Sequence, residues 1–166
     1  PLKVNEWVSA LMILGLIKGL VGFAFGGLFA FLLYRVAIFD YGFAILPFLA
    51  MLLMTGWWIG FFVGGLVLRF GTRIQSLAWT LIFLISPFIG IFYPISALPS
   101  WGQNIAIILP PSYIFEGMRE IIISGSLDYS NLAISFLLNV VYIIPAYAFF
   151  HWNFKKLLSR GLATVH

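Results

Sequence analysis

Between Arg73 and Glu116 the chain reads IQSLAWTLIFLISPFIGIFYPISALPSWGQNIAIILPPSYIF, Ile74 to Phe115, 42 residues without one charged side chain. A membrane helix needs about 20 apolar residues, so this run is too long for a single crossing, and its reading sets the number of spans. Proline interrupts it at Pro87, Pro94, Pro99 and the pair Pro110-Pro111. Each proline removes a backbone donor and disfavours helix in the residue before it. The spacing predicts one helix over 75–94 and then a segment, 95–127, that does not cross. The stretch between Pro99 and Pro110 is too short to span and carries Ser100, Gln103 and Asn104. Two short helices are expected there, near 99–109 and 112–123, joined by the proline pair. Lipid cannot satisfy the ends of short helices, so this pair must pack inside protein or line a wet cavity.

Outward from that run, Val8 to Tyr34 contains a single charge, Lys18, while Tyr41 to Leu68 and Tyr129 to Phe154 contain none. Each fits one tilted helix, giving spans over 9–36, 42–68, 75–94 and 129–154. Composition agrees. Of 166 residues, 63% are hydrophobic and 8% charged, with a mean hydropathy of +1.09. A soluble domain is roughly 45–50% apolar and about 25% charged. Nine basic and five acidic residues could not cover so much apolar surface in water, which excludes a soluble enzyme, a disordered chain and a nucleic-acid binder. The net charge of +4 is scattered singly or in pairs and forms no nucleic-acid face. Without cysteine there is no disulfide and no thiolate metal site.

The basic residues give a side to each loop. With four spans, Lys3, Arg69, Arg73, Lys155, Lys156 and Arg160 share one face and Arg35 and Arg119 the other, six against two. A fifth span within 98–118 would make the division four against four. The positive-inside rule favours four, with both termini cytoplasmic. The expected fold is therefore an all-α integral membrane protein with four spans, an outer-face re-entrant hairpin over 95–127 and a cytoplasmic tail over 155–166. Residues 1–8 lack the basic start, apolar core and small-residue cleavage site of a signal peptide. A start at Pro1 rather than Met suggests a piece of a longer chain.

Glycines lie four apart in the second span, at Gly56, Gly60 and Gly64, with Gly65 alongside; Gly15 and Gly19, then Gly22 and Gly26, repeat the spacing in the first. Such stripes let helices approach closely, within one chain or at a subunit interface or sliding surface. Chemistry is sparse. No phosphate-binding Gly-rich loop, Gly-x-Ser-x-Gly elbow or His-Glu-x-x-His occurs, so no catalytic residue, cofactor site or metal ligand is expected on this chain. His151 and His166 read as polar residues at a helix end and at the terminus. Lys18 would cost about 2.5–3.5 kcal/mol at a helix centre; it either snorkels to the headgroups or lines a pathway. Glu116, Arg119 and Glu120 fall on neighbouring turns, as a structural ion pair that holds the hairpin or as a polar collar at a transport exit.

The run Pro94-Ile-Ser-Ala-Leu-Pro99-Ser-Trp101, followed by Leu109-Pro110, Tyr113, Glu116 and Arg119, resembles the permease subunits of ABC-2 type exporters. Pro110 departs from the pattern, since many relatives carry Asn there. The resemblance implies the C-terminal portion of a six-span permease of a bacterial inner membrane. It implies a coupling-helix-like segment over 1–8, whose Lys3, Glu6 and Trp7 would meet a separate nucleotide-binding ATPase subunit. ATP and Mg would be held by that partner and no cofactor by this chain. A second permease copy, identical or not, would complete the pore among membrane lipids. The substrate would be a polysaccharide, glycolipid, drug or other amphipathic molecule, with Trp57, Trp58, Phe61 and Phe62 either stacking on sugars or packing the helices. The other reading is an intramembrane enzyme or channel-like protein with a polar site around Glu116 and Arg119.

Overall fold

An apolar chain in lipid has no water to satisfy its backbone, so each segment must close its own hydrogen bonds as helix or join a closed barrel. The computed structural model describes residues 4–35, 43–71 and 73–163, and among these every regular element is a helix. The α-helices are α1 (Val4–Tyr34), α2 (Ile45–Phe70), α3 (Ile74–Ile85), α4 (Ser100–Ala106), α5 (Pro110–Ser124) and α6 (Tyr129–Ala163). Three of them, α1, α2 and α6, are long and apolar enough to cross a membrane.

The element ends follow local chemistry. Helix α1 runs unbroken from Val4, so the described part of 1–8 is not a separate helix but the first turn of α1. No hinge sets it apart, because neither proline nor glycine occurs between Val4 and Val8 to break the helix. Helix α3 continues as one 3₁₀ turn, Ser86–Ile89, where Pro87 enters, and stops at Gly90 rather than at 94. Gly90 has φ 74°, a left-handed conformation that glycine adopts without a side-chain clash. Together these turns are about 26 Å long, somewhat short of a hydrocarbon core of about 30 Å.

A second 3₁₀ turn, Ile95–Ala97, leads to α4. Pro110 and Pro111 then open α5 instead of joining two helices. Proline suits the first helical turn because its missing donor would be unpaired there anyway. Ser112, fully buried, donates back to the carbonyls of Ala106 and Leu109 and so closes the α4–α5 corner. Helix α5 ends at Gly125, whose N–H reaches Ile121 O at 2.9 Å. Asp128 caps α6: its Oδ1 accepts the N–H groups of Ser130 at 2.9 Å and Asn131 at 3.1 Å. Past Lys155 and Lys156 the helix continues to Ala163, so the tail begins as an extension of α6.

Contacts fix the directions. Going up in number along α2, Thr55 meets Asn139, Phe61 meets Tyr147 and Phe150, and Arg69 meets Trp152, so α2 and α6 run parallel. Helix α1 is antiparallel to both: Trp57 donates to Met12 O at 3.3 Å, Gly19 abuts Leu53, and Trp7 stacks on Phe150. Helix α5 is antiparallel to the start of α6, with Pro110 O near Ser135 and Gly117 against Asn131. One core cluster, Val8, Phe61, Ala146 and Phe150, joins α1, α2 and α6. Another, Phe48, Ile114 and Ile121, joins α2 to α5.

Candidate functional site

Polar side chains on apolar helices are expensive in lipid unless they find partners, so they mark where the fold does something specific. Two such places lie beside α4 and α5. The first is a seam between the two core clusters. Asn139 is fully buried in α6, and its Oδ1 accepts Trp58 Nε1 at 3.1 Å and lies 2.9 Å from the Thr55 hydroxyl. Its Nδ2 donates to Ser135 O at 3.0 Å and approaches Met51 O at 3.4 Å. Ser135 in turn donates to Pro110 O at 3.3 Å, and Tyr142 to Ile108 O at 2.9 Å. The Trp58 and Tyr142 rings stack at 4.9 Å. The seam therefore binds the α4–α5 corner to the middle of the α2–α6 pair, about 15–20 Å along α6 from its first residue.

The second place is a clip. Glu116 Oε1 accepts the N–H of Ile95 at 2.6 Å and meets Arg119 Nη1 at 2.8 Å. Arg119 Nη2 donates to Gly90 O at 2.8 Å. One turn of α5 thus holds both ends of the irregular stretch that follows α3. Each side chain is 27% exposed, so the pair is neither dry nor fully solvated. Glu116→Ala frees Ile95's donor as well as Arg119 and should cost about 1–3 kcal/mol. Arg119→Ala should cost less, because the Ile95 bond survives. The two changes should couple by about 0.5–3 kcal/mol in a double-mutant cycle of detergent unfolding; strictly additive losses would mean that the Glu116–Arg119 ion pair itself contributes nothing.

The other hairpin residues are structural neighbours of the clip. Pro94 O accepts Ala97 N–H at 3.0 Å and Pro99 O accepts Gly102 N–H at 2.8 Å, so both start turns. Trp101 is exposed and meets Phe88 edge to face at 5.6 Å. Tyr113 donates to Ile107 O at 3.0 Å.

Between α1 and α2 an apolar cleft of about 660 Å³ is lined by Gly15, Gly19, Gly56, Trp57, Gly60 and Phe61 among others. The glycine stripe of α2 divides here. Gly64 packs against the Phe150 ring, and Gly65 lies tighter still against Phe149. Among the described residues Gly56 and Gly60 do not pack on another helix: a Cβ on either would meet nothing within 4 Å. The reason is that Trp57 and Leu53 fill the glycine notches of α1 and hold the two helices apart above the cleft. Lys18 is exposed and absent from the cleft wall. Trp7 stacks within the chain on Phe150 at 6.0 Å and Phe154 at 5.7 Å, and Glu6 sits in the first turn of α1. Lys3 and His166 lie outside the described residues.

Sequence reasoning passed over Asn139, Thr55 and Ser135. A signal existed: Thr55 is the sole Ser, Thr, Asn or Gln between Tyr41 and Leu68, and Asn139 interrupts the run Phe136 to Tyr142. Among the described residues no three His, Asp or Glu side chains come together as metal ligands would. Set against protein-family models, curated proteins and solved structures, the chain matches none.

Proposed function

We propose that the chain is membrane-spanning permease sequence of an ABC-2 type exporter, moving an amphipathic substrate out of the cytoplasm with ATP hydrolysed by a separate subunit. The observation that carries this reading is the convergence of the motif. Glu116 and Arg119 reach back to Ile95 and Gly90 on either side of Tyr93-Pro94, so residues that define the resemblance form one structural unit. On this reading α1, α2, α3 with its 3₁₀ turn, and α6 are four crossings. The parallel course of α2 and α6 supports this, since an antiparallel α3 between them returns the chain to its starting face. The hairpin α4–α5 is then re-entrant, dipping to Trp58 and Tyr142 and returning, and both ends of the chain are cytoplasmic. The cleft faced by Gly56 and Gly60 is where a second permease copy or the substrate would pass. An intramembrane enzyme centred on Glu116 and Arg119 is less well supported, because both side chains are occupied with backbone groups.

The test has two arms. Single cysteines at Lys156 and Ser100 should label from opposite faces, Lys156 from the cytoplasm. The full-length protein, purified with its nucleotide-binding subunit and placed in inverted vesicles, should accumulate substrate only with ATP. Labelling of both cysteines from one face would reject the span arrangement. Turnover of a lipid by the protein without any ATPase would reject the transporter reading in favour of an enzyme.

A further inference from the structure

At the end of α2 two cations converge on one ring. Arg69 lies 6.0 Å and Lys156 5.2 Å from the centroid of Trp152, within cation–π range. Both line a pocket of about 220 Å³ with Leu68, Phe70, Asn153 and Leu157. No acidic side chain stands in its wall, and the buried Asn153 spends its Nδ2 on Phe149 O at 2.8 Å. Two cations on one ring and in one pocket wall, with no carboxylate beside them, leave a positive potential that an anion would meet from both sides.

The surface beside this pocket is as apolar as the pocket is basic. A groove of about 330 Å³ between α2 and α3 is lined by Phe62, Leu66, Leu77, Ala78, Leu81 and Ile85 among other apolar residues. Phe62, Leu66 and then Arg69 and Phe70 follow at helical spacing, so groove and basic pocket share one side of α2. Helix α3 is about 18 Å long, close to the roughly 15 Å of one hydrocarbon leaflet. Trp152, exposed at the same level, is the residue type that sits at the headgroups.

We infer that this corner is a binding site for an anionic phospholipid, its phosphate held between Arg69 and Lys156 and one acyl chain laid along the α2–α3 groove. The argument needs only that the helices lie in a membrane and is independent of export. Charge complementarity selects an anionic over a zwitterionic headgroup, and the groove selects a lipid over a free anion.

The full-length protein, delipidated in detergent, is titrated with phosphatidylglycerol or phosphatidylcholine and bound lipid is counted by native mass spectrometry. Phosphatidylglycerol should be retained and phosphatidylcholine should not. The exposed pair Arg69→Gln with Lys156→Gln should weaken retention about 30-fold, as two basic contacts near a surface imply. Arg35→Gln with Lys155→Gln, which removes the same charge elsewhere, should leave it unchanged. Leu81→Trp, at a position half exposed on the groove, should weaken retention with every charge in place. Equal loss in both double variants would reduce the effect to net charge and overturn the site. Displacement of the lipid by millimolar inorganic phosphate, with Leu81→Trp binding normally, would overturn it in favour of a small-anion pocket.

Discussion

Replacing Phe48 with Ala should separate α5 from the rest of the protein. The ring is fully buried and packs with Ile114 and Ile121 in the smaller core cluster. Its edge lies against Gly117, where even one added carbon would collide with it. Removing the ring empties the buried apolar cluster between α2 and α5, at a cost of about 3–5 kcal/mol for a buried Phe→Ala change. The loss should appear as a lower detergent unfolding temperature and as protease cleavage within 98–126, with α2 and α6 still protected. Gly117→Leu should produce the same local opening by overfilling the joint, since packed interiors resist added volume by about 1–3 kcal/mol. Unchanged stability in both variants would mean that α5 is held by its polar contacts alone.

Asn139→Leu should weaken a different joint. Leucine has similar bulk and suits lipid better, so hydropathy alone predicts a gain. Hydrogen bonding predicts the reverse. Trp58 Nε1 would lose its acceptor and Thr55 one of its two, while Ser135 O would lose the side-chain donor but keep the helix N–H, all at the centre of the α2–α6 pair. An orphaned buried group costs about 1–3 kcal/mol, while single interhelical bonds in membranes average nearer 0.6 kcal/mol. The net loss should therefore be about 1–3 kcal/mol. Thr55→Ala should cost less, because Trp58 keeps its acceptor. A more stable Leu variant would show that the seam serves no packing purpose. The quenching of Trp58 fluorescence by neighbouring groups offers a second readout.

The helices were the legible part of the sequence. Long apolar runs bounded by Arg35, Arg69, Arg73 and Asp128, with Lys18 the one charge inside them, leave the backbone no other way to satisfy itself in lipid, so α1, α2 and α6 follow from composition. The proline positions foretold an irregular stretch after α3, and the Glu116–Arg119 spacing foretold their pairing. What spacing could not show was where the pair would reach: its partners at Gly90 and Ile95 lie 29 and 21 residues away in sequence. The glycine stripe left its neighbour undecided for a related reason. Four-residue spacing marks one face of a helix but not whether a neighbour lies there, and only the Gly64 end of this face is covered. The seam was hidden because Asn, Thr and Ser scarcely alter a hydropathy average, although each alters the local hydrogen-bond account.

The parallel course of α2 and α6 also bears on biosynthesis. Thr55 and Asn139 are 84 residues apart, so a ribosome that has delivered α2 to the bilayer has yet to make the helix that α2 rests on. Chains emerge N-terminus first, and during that interval the Thr55 hydroxyl and the Trp58 indole face lipid or a chaperone. Helix α1 shields α2 only along its Trp57 and Leu53 side. Any nascent chain that stops before Tyr129 therefore displays an unfinished polar face in the membrane. Helix α6, made well after α2, is the one that closes it, which gives quality control a physical mark for telling a chain that still lacks α6 from one that has it.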